Sequence, residues 1–239
     1  MAHRAMRRHW LAHVRGLYSG VSFVPRLDIL PAPQQAVWRE LGSVPPHFTL
    51  YGGTAVALHL GHRQSVDFDF FAAQPIDPVA LARELPLLAG GRIAQSEPNT
   101  LTVIVERNGD PVKLSFFGLP WLRRVHPAHI ADTGVKVAAL LDVAATKMAT
   151  VQARAEAKDY ADIAAMLRRS LPLADMLAAA RAVNGDSFAA LPTLKALSYY
   201  GDGNLPTVTE ADRATLIAAV RSVRADALPE ILPLDESGA

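Results

Sequence analysis

The chain has 239 residues, of which 50% are hydrophobic and 20% are charged, enough to build a core for one large domain or two small ones. It contains no cysteine, which excludes disulfides and thiolate-bound zinc. The formal net charge is +1, so no global field attracts nucleic acid, although a local basic face remains open.

Residues 1–45 form a predicted N-terminal extension, helical or irregular, with a short helix expected over 34–41. Arg4, Arg7 and Arg8 precede an apolar run that polar residues interrupt, which argues against a signal peptide. No stretch is long and apolar enough to span a bilayer, and we expect a cytoplasmic protein with no membrane partner.

Residues 46–138 mix strand and helix signals, which predicts an α/β core. In chain order the predicted elements are a strand at 47–51, a helix at 54–60 ending in Gly61, a strand at 66–70, a helix from Asp77 towards 88, and two strands at 99–106 and 112–117 around Asn108–Gly109.

Residues 139–239 are rich in alanine and leucine, which favours helices throughout. We expect helices over 140–154 and 159–168, two or three more towards the end, and a last amphipathic helix over 212–225. The sequence therefore predicts the α+β class, with a helical C-terminal region after the mixed half.

Asp67 and Asp69 are the first candidates for chemistry. Residues two apart on a strand point to the same side, roughly 7 Å from each other, while Val66, Phe68 and Phe70 would face the core. Two close carboxylates repel each other unless a cation compensates them, and Mg²⁺ suits a few carboxylates plus phosphate oxygens. Without further context, a solvated edge strand with alternating polar residues explains the pattern better than a metal site does.

The residues upstream provide that context. Gly52 and Gly53 leave backbone N–H groups accessible to a phosphate, and a helix beginning at Thr54 would present its positive end there. Ser65 should share the strand face of Asp67. A lone Gly-Gly pair is explained by a tight turn, but together with Thr54, Ser65 and the acidic pair it predicts a phosphate-binding site.

Lys147 and Arg154 are two helical turns apart and would share one face of a continuous helix, with Lys158 on the same face. Such a row could bind phosphate oxygens. It could equally be a solvated basic face with Glu156 and Asp159 as partners.

The run LYGGTAVALHLGHRQSVDFDFF resembles the first motif of the AbiEii/AbiGii-type nucleotidyltransferase toxins, within the DNA polymerase β superfamily. DVAATKMATVQARAEAKDYADI resembles the lysine-bearing helix and the KDxxD segment of that family. With VKLSFF, the resemblance covers about residues 48–168.

The resemblance implies a polymerase β-like core with a small mixed sheet and a Mg²⁺- or Mn²⁺-dependent transfer of NMP from an NTP. Asp67 and Asp69 would bind the metal, and Lys147 would hold the phosphates. Lys158 and Asp159 would contribute to the active site, with Asp162 in a supporting role. The family suggests an RNA acceptor such as a tRNA 3′ end, and an antitoxin partner.

Ser115 departs from the family pattern, because polymerase β enzymes usually place a third carboxylate on this neighbouring strand. Glu106 or Asp159 could supply the charge, two carboxylates could suffice, or the enzyme could be slow. A catalytically silent module that binds nucleotide or nucleic acid is the alternative function. His59 and His62 are expected to be structural or at most contacts at the rim of the site. The aromatics Phe68, Phe70, Phe116 and Phe117 are expected in the core.

Overall fold

The computed structural model describes residues 23–234, so Arg4, Arg7 and Arg8 lie outside the described part. The first half contains helices α1 (Ala32–Glu40), α2 (Gly52–Leu60) and α3 (Pro78–Glu84), and strands β1 (Phe48–Tyr51), β2 (Asp67–Ala72), β3 (Arg92–Glu97), β4 (Thr100–Arg107), β5 (Asp110–Gly118), β6 (His129–Ile130) and β7 (Lys136–Val137). Helices α4 (Leu140–Ala153), α5 (Ala157–Arg168), α6 (Leu173–Asn184), α7 (Ala190–Ala196) and α8 (Glu210–Ser222) follow.

The seven strands form one mixed sheet in the order β3-β4-β5-β2-β1-β7-β6. Strand β2 lies at the centre, parallel to β5 and antiparallel to β1. Strands β4 and β5 form a hairpin whose turn has positive φ at Asn108 (55°) and Gly109 (84°), the conformation that this Asn-Gly pair favours. The predicted turn is confirmed.

One face of the sheet is the hydrophobic core. Phe68 and Phe70 of β2 are fully buried there, and Phe70 stacks on Phe116 of β5 at 5.1 Å between ring centroids. Helix α1 covers this face across β4 and β5 with Val37 and Trp38. The opposite face of β2 therefore carries the acidic residues of the strand.

Helices α4 to α8 continue the same apolar cluster, which extends from Ile29 to Leu216. Helix α2 lies between the sheet and this region, because it contacts β1, β2, α4 and α5. The predicted α+β class, with a mixed sheet followed by a helical region, is confirmed. No helix within residues 23–234 is long and apolar enough to cross a membrane.

Several predicted boundaries are confirmed within a few residues and others are wrong. Asp77 caps α3 by accepting hydrogen bonds from the N–H groups of Val79 and Ala80, but α3 ends at Glu84 rather than near Leu88. Pro86 explains the early end, since proline disfavours the helical conformation of the residue before it. Val66 precedes β2 and is 50% exposed, so its predicted place in the core is wrong.

Strand β3 was not predicted. All six of its residues are exposed, and because no face of the strand is buried, its sequence RIAQSE has no regular alternation of apolar and polar side chains. It forms one edge of the sheet, next to β4.

The two helices expected over 140–154 and 159–168 are confirmed within two residues, so the continuous helix that a shared face of Lys147, Arg154 and Lys158 would require does not form. Helix α4 ends at Ala153, and Arg154 is extended with φ −148° and ψ 147°. Because α5 begins only at Ala157, Lys147, Arg154 and Lys158 do not share one helical face.

Candidate nucleotide-binding cleft

A cleft of about 550 Å³ opens over the acidic face of β2, between the sheet and helices α2, α4 and α5. It brings together nine of the predicted site residues: Gly52, Gly53, Thr54, Ser65, Asp67, Asp69, Lys147, Arg154 and Lys158. Asp159 does not line it.

Asp67 and Asp69 face the cleft as the two-residue period predicts, with the buried Phe68 between them. Asp67 lies opposite Lys113 of β5, and the Nζ atom of Lys113 is 3.0 Å from Asp67 Oδ2. Burial, followed by the negative charge of Asp67, raises the pKa of Asp69. The pair is therefore under electrostatic strain that an added cation would relieve.

The glycines fit tightly against charged side chains. Gly52 has φ +68°, and a Cβ atom at this position would lie 2.6 Å from Asp69 Oδ2. A Cβ atom on Gly53 would overlap the guanidinium of Arg63. The position of Gly52 therefore requires glycine, a side chain at Gly53 would have to displace Arg63, and the N-terminus of α2 opens directly onto the cleft beside Asp69.

Thr54 and Ser65 fix the geometry between α2 and β2. Their hydroxyl oxygens are 2.7 Å apart, and the Thr54 hydroxyl donates to the carbonyl oxygen of Asp67. Both residues are buried. They hold the start of β2 against the start of α2, which positions the acidic pair relative to the helix N-terminus.

Lys147 projects from α4 into a pair of buried carboxylates. Its Nζ atom is 2.6 Å from Asp159 Oδ1 and 2.7 Å from Asp162 Oδ2, and the residue is only 5% exposed. An ammonium group has three N–H donors, so one remains for the cleft that Lys147 lines.

Asp162 is the centre of this buried network. Its carboxylate accepts hydrogen bonds from Arg63 at 2.7 and 3.0 Å and from His62 at 2.8 Å. Burial alone would raise the pKa of Asp162, but the His62 hydrogen bond and the charges of Lys147 and Arg63 hold it well below its usual range. Asp162 therefore stays ionised and ties α5 to the loop after α2.

Asp159 plays the matching part towards Arg154. The Arg154 Nε atom is 2.9 Å from Asp159 Oδ2, and Asp159 is fully buried. Lys147 and Arg154 engage both carboxylate oxygens of Asp159, which lies behind these two side chains and does not line the cleft. Lys158 does reach the cleft, from the first turn of α5, and is exposed.

The cleft lining is positively charged overall. Five cationic side chains and two acidic ones line it: Arg63, Lys113, Lys147, Arg154 and Lys158, with Asp67 and Asp69. The buried Asp159 and Asp162 leave an excess of one positive charge over the whole group. This balance suits a polyanion that arrives with a cation of its own.

Ser115 lies opposite Asp69 in the sheet register and donates a hydrogen bond to its carboxylate. Glu106 is exposed near the end of β4 and does not line the cleft, so it cannot supply a third acid here. Across residues 23–234, no group of three histidine, aspartate or glutamate side chains is placed to hold a metal ion.

Several lining residues were not expected from the sequence, among them Arg63, Gln95, Thr102 and Lys113. The motif HRQSVDFDF contained the signal for Arg63, since the arginine stands two residues before Ser65. Phe117 was expected in the core, but it is half-buried and lines the cleft.

Comparison with known proteins identifies the family of this chain. Residues 37–233 match the family model described as nucleotidyl transferase AbiEii toxin, type IV TA system. The protein aq_aa25 of Aquifex aeolicus (strain VF5) is 32% identical over 124 residues, which span 51% of this chain and 58% of that protein.

The chain is also similar to two crystal structures from Helicobacter pylori. A candidate nucleotidyltransferase gives a TM-score of 0.49 at 15% identity, covering 79% of this chain and 90% of the other. JHP933 gives 0.47 at 16% identity, covering 79% and 87%. The family match spans most of the sequence, and the chain therefore belongs to the AbiEii nucleotidyltransferase toxin family.

Proposed function

We propose that this chain transfers a nucleoside monophosphate from an NTP to a hydroxyl group at an RNA 3′ end, with tRNA as the favoured acceptor. One observation carries the proposal: two carboxylates share a strand face directly beside a glycine-lined helix N-terminus. Gly52 touches Asp69 so closely that no side chain fits between them.

The triphosphate would lie along the N-terminus of α2 and the adjacent cations. The first backbone N–H groups of a helix and its positive end favour phosphate oxygens. Arg63 and Lys147 line the cleft and are held in place by Asp162, so they would lose little conformational freedom on binding phosphate. Arg154 and Lys158 add charge at the outer end.

The residues present fit a hard divalent cation, Mg²⁺ or Mn²⁺. Asp67 and Asp69 offer two carboxylates on one face, which agrees with the one or two that Mg²⁺ takes from protein when phosphate oxygens complete its shell. Burial and the nearby Asp67 charge raise the pKa of Asp69, so a cation between the two carboxylates would stabilise its ionised form. When bound, the ion would neutralise the phosphates and stabilise charge on the leaving group.

The transfer itself is a substitution at the α-phosphorus. The acceptor oxygen bonds to phosphorus, and the bond to the pyrophosphate oxygen breaks with its electron pair leaving on pyrophosphate. The hydroxyl proton passes to water, because no base is left to accept it. Ser115 is not a base, and Asp67 and Asp69, which would hold the cation, are the only acids that line the cleft among the described residues. General-base assistance is typically worth 10²–10⁴-fold, so we propose a slow enzyme.

Ser115 and Lys113 also favour a second candidate, a module that binds nucleotide without transfer. The ammonium group of Lys113 already neutralises Asp67 at 3.0 Å, and Ser115 adds no charge. In this case the cleft would bind NTP with little dependence on Mg²⁺.

The family description names a type IV toxin–antitoxin system, and we propose a toxin role for the transfer. The antitoxin would then be encoded beside this chain and would counteract its effect on the acceptor RNA.

The test uses labelled NTPs, Mg²⁺ and total RNA, with Asp67→Asn and Asp69→Asn as variants. Transfer by the wild type and none by either variant is expected. Calorimetric titration with a non-hydrolysable NTP, with and without Mg²⁺, separates the candidates. Tight binding without transfer, unaffected by Mg²⁺, would establish the binding module and overturn the enzyme.

A further inference from the structure

Beyond the acidic pair, the cleft continues onto a neutral surface that the roles above do not use. Its lining residues on β2, β3, β4 and β5 are Phe71, Gln95, Thr102 and Phe117. The pairing registers arrange these residues in two rows that run across the strands. One row contains Asp69, Ser115, Thr102 and Gln95, each paired with the next, and the other contains the pair Phe71 and Phe117. The rows are roughly 7 Å apart and the four strands span about 14 Å, which is the size of a nucleoside.

A bulge in β3 brings Gln95 onto this surface. Arg92 and Ile93 pair in one register with β4, and Gln95 pairs one residue out of that register, opposite Thr102. Without the bulge Gln95 would lie opposite Leu101, whose side chain is fully buried on the other face. Bulges re-aim side chains in this way, often beside functional sites.

Gln95 is exposed, and its side chain makes no hydrogen bond with another residue in the described part of the chain. Its amide therefore offers both donors and an acceptor to a ligand. Such an amide can pair with the edge of a base.

The two phenylalanines form the apolar part of the surface. Phe71 stacks on Tyr51 with ring centroids 4.8 Å apart, and Phe117 meets Phe71 edge-on at 5.5 Å. These contacts fix the orientation of Phe117, which is half-buried and lines the cleft. A fixed, partly exposed ring is a suitable platform for base stacking.

The direction of the reaction decides which substrate lies here. The attacking and leaving oxygens of a phosphoryl transfer stand roughly in line, on opposite sides of phosphorus. The leaving pyrophosphate is anionic and belongs on the cationic side, at Gly52, Arg63 and Lys147. The attacking hydroxyl then approaches across Asp69 from the side of Ser115.

We infer that Gln95, Thr102 and Phe117 hold the 3′-terminal nucleoside of the acceptor, an inference that rests on the proposed transfer. Phe117 stacks on the base, Gln95 hydrogen-bonds its polar edge, and Thr102 lies beside the sugar. The rival arrangement places the base of the NTP itself on this surface.

The test compares Phe117→Leu and Gln95→Ala with Ser96→Ala, a neighbouring change on β3 opposite Leu101. Binding of a short fluorescein-labelled oligoribonucleotide ending in CCA is followed by anisotropy without NTP, and binding of a non-hydrolysable NTP with Mg²⁺ by calorimetry. Phe117→Leu should weaken oligonucleotide binding about five- to a hundredfold, and Gln95→Ala about two- to tenfold. NTP affinity should stay level, as should both affinities of Ser96→Ala.

Weaker NTP binding with unchanged oligonucleotide binding would overturn the inference in favour of the rival arrangement. No oligonucleotide binding by the wild type, or equal binding by all variants, would also overturn it. Absence of transfer by a wild type that shows the expected binding pattern would instead count against the proposed function. Gln95 is exposed, so its variant keeps the test valid if Phe117→Leu lowers stability.

Discussion

The main effect of Lys147→Ala should be a lower free energy of unfolding, with its effect on nucleotide binding secondary. The ammonium group makes two ion pairs, at 2.6 and 2.7 Å, with carboxylates that are fully buried. Its removal leaves Asp159 and Asp162 close together with their common partner gone. Breaking a buried pair in this way costs about 3–5 kcal/mol, because Arg154 and Arg63 alone compensate the two buried carboxylates only in part.

A change of that size lowers the melting temperature by roughly 6–20 °C in a chain of this length. The assay is denaturant unfolding followed by circular dichroism, with thermal scans alongside. Lys158→Ala is the matched control, because Lys158 lines the same cleft but is exposed. Lys158→Ala should lower NTP affinity and keep the free energy of unfolding within about 0.5 kcal/mol of the wild-type value.

A double variant tests the cause of the destabilisation. Lys147→Ala with Asp159→Asn removes one of the two carboxylates that have lost Lys147, so it should be more stable than Lys147→Ala alone. The reasoning is refuted if Lys147→Ala and Lys158→Ala unfold at the same denaturant concentration, or if the double variant is the least stable of the set.

Three further changes probe the acidic pair. Asp69→Asn should raise the free energy of unfolding in the absence of metal. Burial and the Asp67 charge raise the pKa of Asp69 above its ordinary 3.8, so the folded state binds more protons than the unfolded state. The wild-type free energy of unfolding therefore falls as the pH rises from about 4. Urea titrations of both proteins across that range would show the slope for the wild type and a smaller one for the variant. Gly52→Ala should lower the melting temperature and weaken NTP binding more than Gly90→Ala, because both glycines have positive φ but only Gly52 would place a Cβ atom against Asp69. Ser115→Asp should increase Mg²⁺ affinity or transfer, since it adds a carboxylate opposite Asp69, whereas Glu106→Gln should leave both unchanged; a loss of transfer in Glu106→Gln would contradict the site described above.

The sequence predicted the parts of the site that depend on local periodicity. The alternation in Asp67–Phe70 placed both acids on one face, and Asn108–Gly109 located the hairpin turn. Gly61 ends α2 with φ 66° and ψ 21°, the left-handed conformation that glycine favours. In each case the preference acts over a few residues, so the local pattern is sufficient.

The parts that were not predicted depend on contacts between distant positions. Arg63 and Asp162 meet across 99 positions, and no local pattern links them. Gln95 reaches the cleft only because a bulge shifts its pairing with β4. Such features follow from tertiary packing, which a local propensity does not describe.

The break between α4 and α5 shows how this packing builds the site. In a continuous helix, Asp159 would lie about 18 Å along the axis from Lys147, at a rise of 1.5 Å per residue. The chain instead leaves the helix at Arg154 and begins α5 at Ala157, whose N–H group donates to the side chain of Asn204 at 2.7 Å. Helix α5 can then return beside α4.

This return brings both aspartates of the KDxxD segment onto Lys147. Asp159 then holds Arg154 at the end of α4, and Asp162 reaches Arg63 in the loop after α2. The acids of the cleft come from the sheet, whereas most of its cations are held in place by α5. A variant that makes α4 and α5 continuous, or that removes the Asn204 cap, should therefore displace the cationic side chains that bind phosphate without changing a residue that lines the cleft. Asn204→Ala tests this separation: NTP affinity should fall, and strand β2 should keep its protection from hydrogen exchange.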